Sequence, residues 1–300
     1  MRVNPNMQTD MLSYLQASQN QEQTAIEQLA TGLRVNLPSD DPAAAAANLV
    51  NNASISADDQ YVQNIDSVQQ TMTNADSTLS SVVTELTQAI SLGVEGSTGT
   101  QSTSDSQAIA QQVSGIKDQI FALANTTFQG VYLFGGTATS SAPFVEDPSS
   151  STGVQYAGND QTNQIQIGEG QQVATSVSGD QLFGSGATGV FGSLQTLITA
   201  LQSGSTSAVG TATVQLRTAF DNVNTSRVFY GNTLSGLTEQ ENYLGQEKVN
   251  LQTNENQLVG ADPTTAASMM SQASVAQQAT LEAIAKAQSL SLLNYLPLDS

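Results

Sequence analysis

The chain contains no cysteine, no histidine and no tryptophan. Without cysteine there is no disulfide, no thiolate nucleophile and no zinc–thiolate site. Without histidine the commonest general base and metal ligand near neutral pH is missing, and a Ser–His–Asp triad cannot be built. Charge is scarce as well. Only 11% of residues are Asp, Glu, Lys or Arg, against about 25% in ordinary soluble domains. The charge present is mostly of one sign: 7 Lys and Arg face 26 Asp and Glu, a formal net charge of -19. That excess repels phosphate backbones and anionic headgroups, so neither nucleic acid nor a membrane surface is an expected partner. No run approaches the roughly 20 apolar residues needed to span a bilayer. The opening MRVNPNMQTDMLSYLQ has no continuous apolar core, so no cleaved hydrophobic signal is expected. A chain free of cross-links suits passage, unfolded, through a narrow conduit.

Proline is rare and unevenly placed. None occurs between Pro42 and Pro143, nor between Pro148 and Pro263, and such stretches are where uninterrupted helices can form. The apolar pattern agrees. Ile55, Val62, Ile65, Met72, Leu79, Val83, Leu86 and Ile90 fill most a and d positions of a heptad. Ser39, Asp40 and Asp41 are good N-cap types, Pro42 suits the first helical position, and five alanines follow. A helix from Ala43 to Leu92 is predicted. After the Gly/Ser/Thr run at 93–104, a return helix carries Ile109, Val113, Ile116, Ile120 and Leu123 on one stripe. A third seam places Leu216, Val223, Tyr230, Leu237, Leu244, Leu251 and Leu258 seven residues apart. Arg227, Glu241, Lys248 and Glu255 interrupt its second stripe.

Between Gly130 and Gly189 the character changes. Val131–Phe134, Val154–Tyr156, Gln164–Ile167 and Val173–Val177 are short, β-prone and separated by Gly, Asn, Asp and Ser, which predicts a β-meander or small sandwich inserted in a helical body. The two ends form a further pair. A first helix is predicted from about Asn6 to Thr31, with Leu12, Leu15, Gln19, Glu22, Ile26 and Leu29 as its seam. A last one is predicted from about Thr264 to Leu293, with Met269, Ala273, Ala276, Ala283, Ala287 and Leu290 on one stripe and Leu281 and Ile284 beside it. Stripes this thin stabilise a helix poorly unless a partner covers them. The fold class read from these patterns is mainly α, a long antiparallel bundle built from the N- and C-terminal halves, with a small β-rich outer domain. The expected divisions are 1–33 with 264–300 as paired terminal helices, 34–135 with 190–263 as the long-helix body, and 136–189 as the β insertion.

Three segments carry a family resemblance. Ala30-Thr-Gly-Leu-Arg-Val-Asn-Leu-Pro-Ser-Asp-Asp-Pro-Ala-Ala-Ala46 resembles the segment that follows the first helix in flagellins and hook-associated proteins. Its Pro38–Pro42 form is more similar to the hook-associated protein 3 branch than to filament flagellin. Asn125-Thr-Thr-Phe-Gln-Gly-Val-Tyr-Leu-Phe-Gly-Gly-Thr137 is similar to that branch's entry into its β region, and Ser289-Leu-Ser-Leu-Leu-Asn-Tyr-Leu296 to its C-terminal tail. The resemblance implies a structural subunit of the bacterial flagellum forming the hook–filament junction layer, between hook-associated protein 1 and flagellin. It implies export unfolded through the flagellar type III apparatus, with a flagellar export chaperone as partner before assembly. It further implies an extracellular place in a ring of copies of itself, with both termini packed into the inner wall of the tube. Leu12, Leu15, Ile26, Leu29, Leu281, Ile284, Leu292 and Leu293 are the expected interface residues.

The cluster at 39–41 is expected to cap a helix rather than bind a metal. Asp58 and Asp59, about 100° apart on a helix, do not converge on one ion and read as solvated surface. Gly135-Gly136 and Gly184–Gly189 lack the Gly-Lys-Ser/Thr ending of a phosphate loop and read as turns. No cofactor and no catalytic role is expected. The alternatives are a filament flagellin, or a secreted adhesin or binding module whose segment Ala138–Gly189 holds a ligand.

Overall fold

The computed structural model describes residues 7–98, 102–184 and 186–293. In chain order the elements are α1 (Met7–Thr31), α2 (Pro42–Gly96), α3 (Thr103–Ala124), β1 (Thr127–Phe128), β2 (Val131–Tyr132), β3 (Phe144–Glu146), β4 (Val154–Tyr156), β5 (Gln164–Gly168), β6 (Gln171–Ala174), α4 (Gly179–Phe183), α5 (Val190–Ser203), α6 (Thr206–Val259) and α7 (Pro263–Leu293). The chain divides into two compact units, Met1–Ala57 with Gln246–Ser300, and Asp58–Gly245.

The second unit is built on α2 and α6, each a single unbroken helix. Buried positions on α2 alternate at three and four residues: Ile65, Val68, Met72, Ala75, Leu79, Val82, Leu86 and Ala89. The row Ile65, Met72, Leu79 and Leu86 expected from sequence is thus present, while the second row is the smaller Val68, Ala75, Val82 and Ala89, one heptad position from the expected Val62, Val83 and Ile90, which are only partly buried. On α6 the predicted Leu216, Val223, Tyr230, Leu237 and Leu244 are all buried, joined by Val209, Ala212 and Ala219. The seam continues at Gly93 and Gly96, where a methyl group would stand 2.5 Å from Thr213 Oγ1 and 2.4 Å from Leu201 Cδ2. Only glycine admits so close an approach. A polar interruption of the α6 stripe is answered across the seam, since Gln69 Nε2 donates to Glu241 Oε2 at 3.3 Å.

Helix α3 starts at a capping box, with Ser102 Oγ accepting from Asp105 N and the Asp105 carboxylate accepting from Ser102 N. Its stripe of Ile109, Val113, Ile116 and Ile120 is buried, and α3 packs on α5. Helix α5 carries Leu194, Leu197, Ile198 and Leu201 into the same core and stops at Gly204, whose φ of +69° is the left-handed cap conformation.

The β region differs from the expected meander or sandwich. Its six strands form three separate two-stranded antiparallel sheets, β1–β2, β3–β4 and β5–β6. The physical reason lies in the core. Phe144, Leu182 and Phe183 belong to the hydrophobic cluster of α2, α3, α5 and α6, with Tyr156, Ile165 and Val173 packed against it. Each hairpin therefore covers helices instead of another sheet. The glycine segments lie in turns, as expected: Gly136 and Gly184 have φ of +68° and +70°, and a methyl on Gly136 would clash with Asn159 O. Asn125 ties this region to the helices, donating Nδ2 to Phe144 O at 2.9 Å while its Oδ1 accepts from Phe144 N at 3.0 Å. Asp58, expected on solvated surface, is 8% exposed. It lies seven residues before Ile65 and so falls on the seam side of α2.

Candidate subunit interface

In the first unit, α1 lies against α7. Helix α1 ends where Gly32, with φ of +71°, donates its N–H to Gln28 O at 2.9 Å. The chain then pairs with the end of α6. Leu33 bridges Gly260, Arg34 N donates to Val259 O at 2.7 Å, and Ala261 N donates to Gly32 O at 2.9 Å. Beneath these bonds Val35, Ala44 and Val259 form a small core. The Arg34 guanidinium donates to Leu258 O at 2.8 Å and reaches Asp41 Oδ2 at 3.3 Å.

The cluster at 39–41 works as a cap. Asp41 Oδ1 accepts from Ala44 N at 3.0 Å, and Asp40 Oδ2 accepts from the N–H groups of Asn36 and Leu37 at 3.1 and 2.9 Å. The hydrogen bond from Ala44, and then the Arg34 contact, hold the Asp41 carboxyl below its ordinary value. Helix α7 is opened the same way by Asp262, whose carboxylate accepts from Thr265 Oγ1 at 2.7 Å and Thr264 N at 3.0 Å. Those bonds, the hydroxyl's first, lower its pKa.

The seam between α1 and α7 is only partly the one expected, sharing Leu15, Glu22, Ala273, Ile284 and Ala287 with it. On α1 the shielded positions include Met11, Leu15, Ser18, Glu22 and Ala25, with Gln28 beyond them; on α7 they include Ala266, Met270, Ala273, Gln277, Thr280, Ile284 and Ala287, with Ser274 beside them. Both rows alternate at three and four residues. Ser18 Oγ donates to Ala273 O at 3.2 Å, a bond that needs close helix approach. Of the expected residues, Leu15 and Ile284 are half-buried in this seam. Leu12, Ile26, Leu29 and Leu281 are 59%, 49%, 37% and 49% exposed. The side chains of Leu292 and Leu293 lie outside the described residues.

Two adjacent stripes compete on α1, 100° apart, and the one of smaller residues is used. Ser18, Ala25 and Ala266 escape a reading that counts mainly large apolar side chains, yet Ser18 stands seven residues before Ala25, and Ala266 seven before the predicted Ala273. The energetic consequence is direct. A buried Ala contributes about one methyl group, roughly 0.8 kcal/mol, whereas a buried Leu, Ile or Met contributes about 1.5–3 kcal/mol. The α1–α7 pair is therefore held weakly compared with α2 and α6 in the second unit, and Leu12, Ile26, Leu29 and Leu281 remain outside its seam. Met269 and Val275, 50% and 64% exposed, add to this surface. Such an arrangement can bind another helix. Among the described residues no group of three metal-binding side chains converges, and no helix is long and apolar enough to cross a membrane.

Comparison with known proteins bears on this geometry. The family described as bacterial flagellin N-terminal helical region matches residues 3–139, and the bacterial flagellin C-terminal helical region matches residues 213–296. Flagellar hook-associated protein 3 of Escherichia coli K12 is 30% identical over 291 residues, covering 89% of this chain and 90% of that protein. The protein of the same description from Salmonella typhimurium is 32% identical over 187 residues, 62% of this chain and 57% of that one. Among solved structures, the flagellar hook associated protein-3 of Legionella pneumophila superposes with a TM-score of 0.64 at 12% identity, covering 70% of this chain and 98% of that chain. FlgL of Bacillus cereus does so with a TM-score of 0.59 at 24% identity, covering 69% and 99%.

Proposed function

Since this chain belongs to the flagellar hook-associated protein 3 family, we propose that it is the structural subunit of the hook–filament junction, set between hook-associated protein 1 and the first flagellin subunits. The observation that carries the reading is the sequence match over nine-tenths of both chains, beside the flagellin helical-region matches that take in both helical ends. The mechanism is mechanical. Terminal helices of neighbouring copies in a ring cover one another's exposed residues, among them Leu12, Ile26, Leu29 and Leu281. In this reading 1–33 with 264–300 line the inner wall, 34–135 with 190–263 form the body, and 136–189 stand outermost. The subunit reaches its extracellular position unfolded, through the flagellar export apparatus, escorted beforehand by an export chaperone.

The weak α1–α7 seam supports this division of labour. A pair held by Ala, Ser, Gln and Thr beside half-covered Met11, Leu15, Met270 and Ile284 is easily unfolded for export, and it keeps Leu12, Ile26, Leu29 and Leu281 for partners. The test is genetic and structural. A strain lacking this chain should complete hooks, shed flagellin into the medium and carry no filaments, and the intact chain should restore them. Filaments of ordinary number in the deletion strain would refute the role.

A further inference from the structure

The second unit, Asp58–Gly245, holds sixteen Asp and Glu against three Lys and Arg, a formal charge of -13 out of the chain's -19. The three cations give little relief. Arg227 is held on Asp76 at 2.9 Å. Lys117 is half-buried, with its ammonium on Gln195 Oε1 at 2.7 Å. Of the three, Arg217 is the one exposed. The carboxylates, in contrast, are spread over the outside: Asp66 and Glu95 on α2, Asp118 on α3, Glu169 between β5 and β6, and Asp221 and Glu239 on α6 are all exposed.

Two such bodies side by side repel, and neither offers many cations for pairing with the other. The carboxylates lie on different elements, and among the described residues none form a convergent metal-binding group, so a single bound ion does not solve the problem. Mobile counter-ions do. The screening length falls from about 30 Å at 0.01 M salt to about 8 Å at 0.15 M, which removes repulsion between bodies separated by more than that distance.

We infer that copies of this chain meet body to body across a diffuse counter-ion layer, so that ionic strength strengthens the junction layer instead of loosening it. This rests on the reading of the chain as a junction subunit. The sign is opposite to that of an interface built from complementary ion pairs, which salt weakens. It also confines attraction to the terminal helices, whose contacts are apolar and little affected by screening.

The experiment is capture of the full-length chain on purified hook–basal bodies that end in hook-associated protein 1, over a salt series. The subunit concentration for half-saturation should fall by about tenfold or more between 10 and 150 mM. Sodium chloride and tetramethylammonium chloride should act alike at equal ionic strength. A variant with D66N, E95Q, D118N, E169Q, D221N and E239Q should bind at 10 mM as the native chain does at 150 mM, with helix content unchanged by circular dichroism. A flat or falling salt response of the native chain overturns the inference while leaving the junction role standing. So does a response to one cation alone. Absence of capture at every ionic strength refutes the junction role itself, and this inference with it.

Discussion

Arg227 of α6 meets Asp76 of α2 in a two-point contact, Nε to Oδ1 at 2.9 Å and Nη2 to Oδ2 at 3.3 Å. It lies between the buried Val223 and Tyr230 on the α6 seam. A charged residue at a seam position fixes register at some cost in stability, and this pair sets α6 against α2. About a third of each side chain is exposed, so its worth is modest. Arg227→Met and Asp76→Leu should each lower the stability of the second unit by about 1 kcal/mol in urea denaturation, and the double variant should recover most of the loss. Strictly additive losses would show that the two groups do not act as a pair.

Glycines in the long helices should respond with opposite signs. A methyl on Gly96 meets Leu201 Cδ2 at 2.4 Å, whereas nothing lies within 4 Å of one on Gly231. Gly96→Val should destabilise by about 1–3 kcal/mol through overpacking. Gly231→Ala should stabilise by about 0.5–1 kcal/mol through helix propensity. Thermal denaturation of both variants reads the contrast, and a stabilising Gly96→Val would contradict the seam.

Tyr230 supplies an alkaline limit to stability. Its ring is 1% exposed and its hydroxyl accepts from Val177 N at 3.4 Å; burial raises its pKa from 10.0 to about 12. The folded form thus holds the phenolic proton more tightly than the unfolded one. The associated stability is complete below pH 10 and is lost as pH rises toward 12, by about 2–3 kcal/mol in all. Tyr230→Phe should flatten the fall, and ultraviolet titration of the native chain should show a late-ionising tyrosine.

Asp41 acts at the other end of the pH scale. Its carboxyl is lowered by the Ala44 hydrogen bond and by Arg34, so the contribution of this cap is present above the ordinary carboxylate pKa and is lost as pH falls below it. Asp41→Ala should speed hydrogen exchange at the Ala44 and Ala45 amides at neutral pH. Asp41→Asn should keep the cap while losing the Arg34 ion pair. Unchanged exchange in the alanine variant would refute the capping role.

The terminal helices should separate folding from assembly. Leu12 is largely exposed in the single chain, while Leu15 and Ile284 are half-covered. Leu12→Asp should leave helix content and the second unit's denaturation unchanged yet block filament completion. Leu15→Asp and Ile284→Asp should block completion and also loosen α1 from α7, seen as faster exchange in both helices. Normal filament numbers with all three variants would rule out these faces as partner surfaces.

Much of this architecture is legible in the sequence because it is written locally. Pro42 after Asp41 marks the start of α2, and Leu216, Val223, Tyr230, Leu237 and Leu244 announce the α6 seam, since heptad spacing and capping chemistry depend on residues a few positions apart. Helix α5 is not among the predicted helices: Leu194, Leu197, Ile198 and Leu201 recur at helical spacing before Gly204, but the surrounding Gly- and Ser-rich stretch conceals them. The flagellar resemblance likewise came from short contiguous segments such as Pro38–Pro42.

What the sequence could not decide is which of several compatible surfaces each element buries. The choice of Met11, Ser18 and Ala25 over Leu12, Gln19 and Ile26 depends on how near α7 approaches, and a serine hydroxyl on the Ala273 carbonyl settles that only in three dimensions. The hairpins cover Phe144 and Ile165 against helices because the helical core offers more apolar surface than a neighbouring two-stranded sheet. By itself the sequence determined where helices start, stop and repeat, and how acidic the surface is. The tertiary structure decided their partners, because packing is a property of two surfaces and neither strand nor helix carries the other's shape in its own spacing.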